Sequence, residues 1–480
     1  MRIKKLLSAV FIIAAIAFAA GAWLYVAGFW GDKEQGDGAD AYDGSAKTHL
    51  LIEDGAAEWL RKPENNSDGD FGSRSPENEP TASDLWTKQE NEPHEADFQK
   101  KDETADATHE LRAAVVVDIS EADAELPAIL DAVSSNYNCA AVSLAFFDGE
   151  HSFYTYQYGF SDISAQRPVL ADTKLRVASL AKLTTAIAAM ALAEAGTIDL
   201  DADISQYLGY EVKNPAYPGT PITSRMLMQH TSSLHDSTAF ISSRYSNSSV
   251  STQRLLDSDS SYRTYAPPGT RHEYSNFGFA VLGAVCEKAA GEPFDTLTRK
   301  LVFTPLGIDA AYVPERLPDA EKIAGIYDEN HRLTLSARSQ LAIGESGILG
   351  HDHHLAQGNL TISALDYARI LAMLANGGII DGIRVLSEEA VGEIHFADVS
   401  AGHYMQGLST RFQENAFMGD SVFWHTGSGF GTFTQYIYDM QSKRGVVVIT
   451  TGASTGREAN GMIKVCLSLS EPVWALQVRA

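Results

Sequence analysis

Residues 31–112 divide the chain, because they carry too much charge and too few apolar side chains to form a core. Within them, residues 31–110 hold 22 Asp and Glu against 8 Lys and Arg. Such a segment cannot bury enough apolar surface to offset the entropy lost on folding. We therefore expect residues 31–112 to be an acidic disordered spacer between an N-terminal segment, 1–30, and a folded domain, 113–480.

The N-terminal segment, residues 1–30, predicts a membrane anchor. Basic side chains near the start precede an uncharged, mostly apolar run over residues 6–30, and about 20 helical residues cross the hydrocarbon core of a bilayer. The positive end stays in the cytoplasm, so the chain would be a single-pass protein of the cell membrane with its domain outside the cytoplasm. The alternative is a signal peptide cleaved near Ala17-Phe18-Ala19, which would give a secreted protein.

Charge and cysteine content argue against two kinds of ligand. The net charge of −25, without a basic stripe, repels a phosphate backbone, so we expect no nucleic-acid binding. The three cysteines form no C-x-x-C pair, and His351-Asp352-His353-His354 fits solvated loop residues better than a zinc site. We therefore expect no metal and no cofactor.

The pattern of the remaining residues predicts an α+β or α/β domain. Two β-rich runs, 140–147 and 153–158, flank an Asp-Gly pair, which is a strong hairpin signal. Residues 433–438 and 445–451 form a second strand pair, and helix-like segments occupy the middle. This order predicts an antiparallel sheet formed by both ends of the domain, flanked by helices, with a mostly helical insert.

A serine and a lysine three residues apart are the first candidate catalytic groups. Ser179 and Lys182 precede a run rich in Ala and Leu that ends at Gly196, which is typical of a helix with a glycine cap. Residues i and i+3 share one helix face, with about 5–6 Å between Cβ atoms. Lys182 can take the serine proton or stay charged and lower the barrier electrostatically. A serine cap beside a surface lysine would give the same pattern without catalysis.

Later motifs connect the serine and lysine to a known family. Residues 268–276 read PGTRHEYSN and residues 424–429 read WHTGSG, while 222–234 (ITSRMLMQHTSSL) and 358–366 (GNLTISALD) give two further matches. In this order, together with S-x-x-K, they resemble the serine β-lactamase-related hydrolases. This family includes class C β-lactamases, D-Ala-D-Ala carboxypeptidases and penicillin-binding-protein-like esterases. The resemblance covers roughly residues 115–470 and implies a β-lactamase/transpeptidase-like fold.

The resemblance also implies a role for each motif residue. It makes Ser179 the nucleophile, with Lys182 and Tyr274 handling its proton. A second set of residues would bind the substrate, with Asn276 contributing its amide. His425 and Thr426 would offer a polar strand edge, and Gly427 would let the substrate backbone come close. The N–H groups of Ser428 and Ser179 would form the oxyanion hole. His425 stands where the family's K-T-G motif has lysine, a replacement typical of the carboxypeptidase and esterase branches. Ser233 replaces a glycine, and His230 is structural in this interpretation.

The sequence thus predicts an extracytoplasmic serine hydrolase that acts through an acyl-enzyme on an amide or ester. The expected substrate is a D-Ala-D-Ala peptide of the cell wall or a β-lactam, because an anchored enzyme, held by residues 6–30, lies beside peptidoglycan. One alternative is a carboxylesterase of the same fold. The other is a non-catalytic envelope protein that binds peptides, although the intact Ser179, Lys182, Tyr274 and Asn276 count against it.

Overall fold

The computed structural model describes residues 114–243 and 250–476. The predicted anchor over residues 1–30 and the predicted spacer over residues 31–112 lie outside these residues, so both stay predictions. Among the helices of the described part, none is long and apolar enough to cross a membrane.

The described part contains sixteen strands, most of which belong to one sheet. In chain order they are β1 (Val115–Asp118), β2 (Ala141–Asp148), β3 (Ser152–Asp162), β4 (Arg167–Pro168), β5 (Leu175–Arg176), β6 (Ile326–Tyr327), β7 (Leu333–Leu335), β8 (Thr361–Ile362), β9 (Ile379–Ile380), β10 (Ile383–Arg384), β11 (Val399–Ser400), β12 (Met405–Gln406), β13 (Arg411–Phe417), β14 (Asp420–Gly429), β15 (Thr432–Asp439) and β16 (Arg444–Thr451).

The α-helices fill the middle of the described part and also flank the sheet. They are α1 (Ile119–Ala122), α2 (Leu126–Asn136), α3 (Ala181–Glu194), α4 (Ser205–Leu208), α5 (Ser224–Met228), α6 (Thr238–Ser243), α7 (Thr252–Leu256), α8 (Asn276–Ala290), α9 (Phe294–Thr298), α10 (Ala337–Leu341), α11 (Ala364–Ala375), α12 (Glu388–His395) and α13 (Lys464–Trp474).

The main sheet joins the two ends of the domain, as the sequence predicted. Its order is β1-β3-β2-β16-β15-β14-β13-β12-β11, with β4 paired to β3. Both predicted strand pairs, β2–β3 and β15–β16, are present, and the antiparallel pairing of β16 with β2 connects them. The edge strand β1 differs from the prediction, because it runs parallel to β3. Two helices and β2 lie between β1 and β3 in the chain, so the connection is long enough for a parallel pair.

The sheet is buried on both faces, which explains the continuous apolar run of β2. Leu144 and Phe146 belong to one apolar cluster with residues of α2 and α13, whereas Ala145 and Phe147 belong to a second cluster with residues of α11. Successive side chains of a strand point to opposite faces, so both sets must be apolar. The sheet therefore lies between two helical layers.

The helix α3 is buried within the second of these clusters. Every residue from Ala181 to Leu192 is buried, and a helix that is apolar on all sides must lie in the interior. Tyr312 fixes its first turn: the phenol oxygen donates to the Ala181 carbonyl oxygen at 2.7 Å and contacts the Thr184 and Thr185 hydroxyls at 2.5 and 2.9 Å. The position of α3 thus depends on a polar group in an apolar core.

Removal of the Tyr312 hydroxyl tests this dependence. We expect Tyr312→Phe to lower the free energy of unfolding by about 1–3 kcal/mol. The Thr184 and Thr185 hydroxyls each lose one of their buried partners, and the Ala181 carbonyl oxygen loses a donor. Urea denaturation followed by circular dichroism measures the change. Tyr217→Phe is the control, since its hydroxyl donates to the Thr264 carbonyl oxygen at the surface. Equal stability of the two variants would contradict a special role for Tyr312.

Candidate active site

Ser179 lies in a short 3₁₀ turn, Ala178–Leu180, that continues directly into α3. The sequence predicted the serine in the first turn of the helix, and the structure places it just before that turn. Ala178 has a φ of 48°, in the left-handed region that residues with a Cβ disfavour. At this bend Ser179 is half-buried, and its hydroxyl meets groups from other segments.

Lys182 is fully buried, with 0% of its surface exposed. Its Nζ donates to Ser179 Oγ at 3.1 Å, to Asn276 Oδ1 at 2.8 Å and to the Gln357 carbonyl oxygen at 2.6 Å. An ammonium group has three N–H donors, and these contacts match that number. The surroundings therefore suit the charged form of Lys182.

Tyr274 brings a phenol to the same serine. Its hydroxyl donates to Ser179 Oγ at 2.8 Å, and Lys182 Nζ lies 5.1 Å from its ring centroid. The next residue, Ser275, caps α8 by accepting the Gly278 N–H at 2.9 Å, which fixes the backbone that carries Tyr274. The structure thus brings the three predicted catalytic side chains into one hydrogen-bonded group, while their roles stay a prediction.

Asn276 connects Lys182 to a carboxylate that sequence reasoning missed. The Asn276 oxygen accepts from Lys182, and its Nδ2 donates to Asp236 Oδ2 at 2.7 Å. Asp236 Oδ1 also accepts the Phe277 N–H at 2.9 Å, in the first turn of α8, where negative charge is favourable. Asp236 therefore orients the amide so that its oxygen faces the ammonium. It lies just beyond the 222–234 motif and has no sequence pattern of its own.

The third motif lies on β14, and its histidine is buried with 1% of its surface exposed. Burial, then Arg411 and Lys182, hold the pKa of His425 well below its usual range, so the ring is neutral. Its Nδ1 lies 2.8 Å from the Thr426 carbonyl oxygen, a contact in which Nδ1 carries the proton and donates. The sequence predicted that His425 offers a substrate contact, whereas the structure buries its ring.

Gly427 is needed because β14 passes very close to the serine turn. A Cβ at Gly427 would lie 2.7 Å from the Val177 carbonyl oxygen and 2.9 Å from the Ser179 nitrogen, too close for any side chain. The sequence predicted that Gly427 lets a substrate backbone come close. In the structure, its missing side chain also lets the turn that contains Ser179 lie against β14. Ser428, the next residue, is exposed.

Arg457 adds a positive charge to the rim of this motif, and sequence reasoning missed it too. Its guanidinium donates to the Thr426 hydroxyl at 3.0 Å, the Ser428 hydroxyl at 3.3 Å and the Gly461 carbonyl oxygen at 2.7 Å. Arg457 lies between β16 and α13, outside every motif. Because it is exposed and holds two hydroxyls of a strand edge, it suits recognition of a carboxylate.

His230 packs behind Tyr274, with the two ring centroids 4.4 Å apart. Its Nδ1 accepts the Ser275 N–H at 3.2 Å, and burial lowers its pKa well below the usual range. A neutral, buried ring fits the structural role expected for it. Ser233, which stands where the family motif has a glycine, has a positive φ of 65°, and Asn214 Nδ2 donates to its hydroxyl at 2.9 Å.

A protein-family profile matches residues 121–465, and it is described as Beta-lactamase. The chain belongs to this family. Among curated relatives, the D-alanyl-D-alanine-carboxypeptidase/endopeptidase AmpH of Escherichia coli (strain K12) is 33% identical over 150 residues, or 31% of this chain and 39% of AmpH. Esterase EstB of Burkholderia gladioli is 32% identical over 219 residues, or 42% of this chain and 55% of EstB. The chain thus matches less than two thirds of the length of either relative.

A solved structure described as a class C beta-lactamase has the same fold. It superposes with a TM-score of 0.57 over 75% of this chain and 98% of its own, at 17% sequence identity. At this identity the likeness concerns the fold alone. Together with the family match, it confirms the predicted β-lactamase/transpeptidase-like fold and the predicted family.

The buried imidazoles near the site make stability depend on pH. Burial, then Arg411, lower the pKa of His272 to about 4, whereas a histidine in the unfolded chain titrates near about 6.5. Between about pH 6.5 and about pH 4, His272 binds a proton in the unfolded chain but not in the folded one. The free energy of unfolding therefore decreases as the pH falls through this range. His230 and His425 act in the same direction. We expect a lower urea midpoint at about pH 5.5 than at about pH 7.5.

One buried carboxyl group changes the stability with pH in the opposite direction, so its contribution must be distinguished from that of the imidazoles. Burial raises the pKa of Glu287 to about 7, so its protonation favours the folded state below that pH. His272→Gln isolates the histidine contribution, because it leaves Glu287 unchanged. We expect this variant to lose less stability between the two pH values than the wild type. The same loss in both proteins would contradict a neutral, buried His272.

Proposed function

We propose that the protein is an extracytoplasmic serine hydrolase that cleaves an amide or ester through an acyl-enzyme on Ser179. One observation carries the proposal: a single hydroxyl contacts two groups that can handle protons, because Ser179 Oγ lies 3.1 Å from Lys182 Nζ and 2.8 Å from the Tyr274 hydroxyl. A serine cap beside a surface lysine would need neither a buried ammonium nor a phenol at the same oxygen.

Tyr274 is the general base in this mechanism. Lys182 has three acceptors and stays charged, so it favours a phenolate on Tyr274, which takes the serine proton while Oγ attacks the substrate carbonyl carbon. The phenol then gives this proton to the leaving amine or alcohol as the C–N or C–O bond breaks. Water attacks the acyl-enzyme, its proton passes through Tyr274 to Ser179 Oγ, and the acid leaves.

The tetrahedral oxyanion is held by the backbone N–H groups of Ser179 and Ser428 in this proposal. Support comes from Gly427, whose missing side chain lets β14 lie against the Ser179 nitrogen. Two such donors placed in advance cost no reorganisation during the reaction, and loss of one typically lowers the rate by about 10²–10³.

The proposed substrate is an amide with a free carboxylate beside the scissile bond, as in a D-Ala-D-Ala peptide or a β-lactam. Arg457 supports this choice, because its exposed guanidinium holds the Thr426 and Ser428 hydroxyls at the edge of the site. The name of the relative AmpH is that of a D-Ala-D-Ala carboxypeptidase, which agrees with it.

Carboxylester hydrolysis is the second candidate. His425 is neutral where the family motif has a lysine, so the site has one positive charge fewer for a carboxylate. The relative EstB is named an esterase. The two candidates differ in one property, the dependence of the rate on a carboxylate in the substrate.

The proposed location rests on residues 6–30, whose apolar run follows basic residues. Anchoring there would hold residues 113–480 beside the cell wall, and cleavage of the segment would instead release them. Fractionation of cells, followed by protease treatment of intact spheroplasts, distinguishes an anchored, a secreted and a cytoplasmic protein.

Substitution of the proposed nucleophile tests the mechanism. We expect Ser179→Ala to lower kcat/KM at least about a thousandfold and to abolish covalent labelling by a fluorescent penicillin, because the hydroxyl that forms the acyl-enzyme is removed. Hydrolysis of a D-Ala-D-Ala peptide and of a neutral p-nitrophenyl ester provides the rates.

The matched control is Ser346→Ala, whose hydroxyl contacts Asp352 in a surface loop within a G-E-S-G sequence. This variant should keep the wild-type rate. Equal rates in Ser179→Ala and the wild type would refute the mechanism. Activity on the ester alone would leave Ser179 in place but replace the peptide with an ester as the substrate.

A further inference from the structure

Arg411 places a second positive charge beside Tyr274. It lies on β13, opposite Trp424 of β14. Its guanidinium carbon is 4.6 Å from the ring centroid of Tyr404, 5.0 Å from that of Trp424 and 5.8 Å from that of Tyr274. Arg411 belongs to none of the sequence motifs, and the mechanism above does not use it.

The charge of Arg411 is not neutralised by an ion pair in the part of the chain that the structure describes. No carboxylate there lies within 4.0 Å of its guanidinium, and its buried Nε has no hydrogen-bond partner. Aromatic faces attract a cation but do not cancel its field. The positive charge of Arg411 therefore acts on its neighbours, and its effect on His425 and His272 is a lowered pKa.

The side chains around Tyr274 leave it in a positive field. Two cations and two imidazoles lie close to its ring, namely Lys182, Arg411, His230 and His425, and His272 packs against His230. The imidazoles are neutral, since burial lowers the pKa of each.

Two carboxylates on the segments that carry or contact Tyr274 and Asn276 already have other partners. Glu273 pairs with Arg263 at 3.2 Å and with Arg271 at 3.6 Å, and Asp236 accepts from Asn276 and from the backbone of α8. Neither of them forms an ion pair with Arg411. Two cations thus lie within 6 Å of the centroid of the phenol ring, one from α3 at 5.1 Å and one from β13 at 5.8 Å.

We propose that Arg411 is a positioning residue that acts through Tyr274: with Lys182, it favours the phenolate form of Tyr274 and holds the ring beside Ser179. This inference rests on the function proposed above. It also explains how the site works with a neutral His425 in the third motif. The positive charge absent from that motif is provided by the neighbouring strand, about 6 Å from the phenol ring, a range over which a charge shifts an ionisation measurably.

The test measures the pH dependence of Ser179 reactivity without a natural substrate. The rate of covalent labelling of the full chain by an uncharged fluorophosphonate rises with pH as Tyr274 loses its proton. In Arg411→Met we expect the acidic limb of this profile to move up by about one pH unit, because a cation that favoured the phenolate is gone. Arg411→Lys keeps the charge and should stay close to the wild type.

Two further variants separate the proposed effect from general damage. Arg444→Met removes a guanidinium that lies 5.0 Å from the Phe146 ring centroid and pairs with Asp148, away from Tyr274, so its profile should not move. In a Tyr274→Phe background, Arg411→Met should cause no additional shift, because the group through which Arg411 acts is absent.

Each other outcome has a definite meaning. A lower labelling rate with an unmoved pH limb in Arg411→Met would make Arg411 structural and overturn the proposal. Weaker labelling by a carboxylate-bearing penicillin alone would make it a substrate contact, which also overturns it. Failure of the wild-type protein to be labelled at Ser179 would overturn the proposed function and, with it, the role of Arg411.

Discussion

The burial of the Lys182 ammonium is the constraint on which the site depends. A charged amine in the interior is tolerated only when each N–H has an acceptor. Here the acceptors come from three separate segments: the turn before α3, the start of α8 and the backbone at Gln357. These segments must hold their positions for the ammonium to stay buried, so the same contacts that permit burial also place Asn276 and Ser179 around one nitrogen.

This requirement explains why polar groups lie so deep around α3. Tyr312 fixes the first turn of the helix through its phenol, and Asp236 fixes the Asn276 amide through a carboxylate. Tyr312 pairs with buried polar groups of α3, and Asp236 holds the half-buried Asn276 amide whose oxygen serves Lys182. These contacts matter because an unpaired donor or acceptor in the interior costs more than a paired one gains. The stability of the fold and the geometry of the site are therefore linked. The contacts that hold α3 in the core also hold Lys182, in its first turn, at the site.

The sequence predicts those parts of the fold and site that have a local signature. Strand pairs beside turns, the Ala- and Leu-rich helix and the residues of S-x-x-K and Y-S-N follow from short patterns, and the structure places Ser179, Lys182, Tyr274 and Asn276 together. The parallel edge strand β1 could not be foreseen, because it pairs with β3, from which two helices and β2 separate it in the chain, and not with a hairpin neighbour. Asp236 and Arg457 follow no pattern either, since only tertiary contacts bring them to the site.

The third motif shows that a positive charge can come from another segment while the geometry of the strand stays fixed. Its glycine is fixed by sterics, because β14 must approach the serine turn, but its first position tolerates a neutral, buried histidine. A positive charge acts through space and need not come from one position, so guanidinium groups on other segments can provide it. Arg411 on β13 lies near the phenol, and Arg457 holds the hydroxyls at the rim. In the proposed mechanism, Arg411 acts on proton transfer and Arg457 on substrate binding, so two cations take the roles that one lysine could fill.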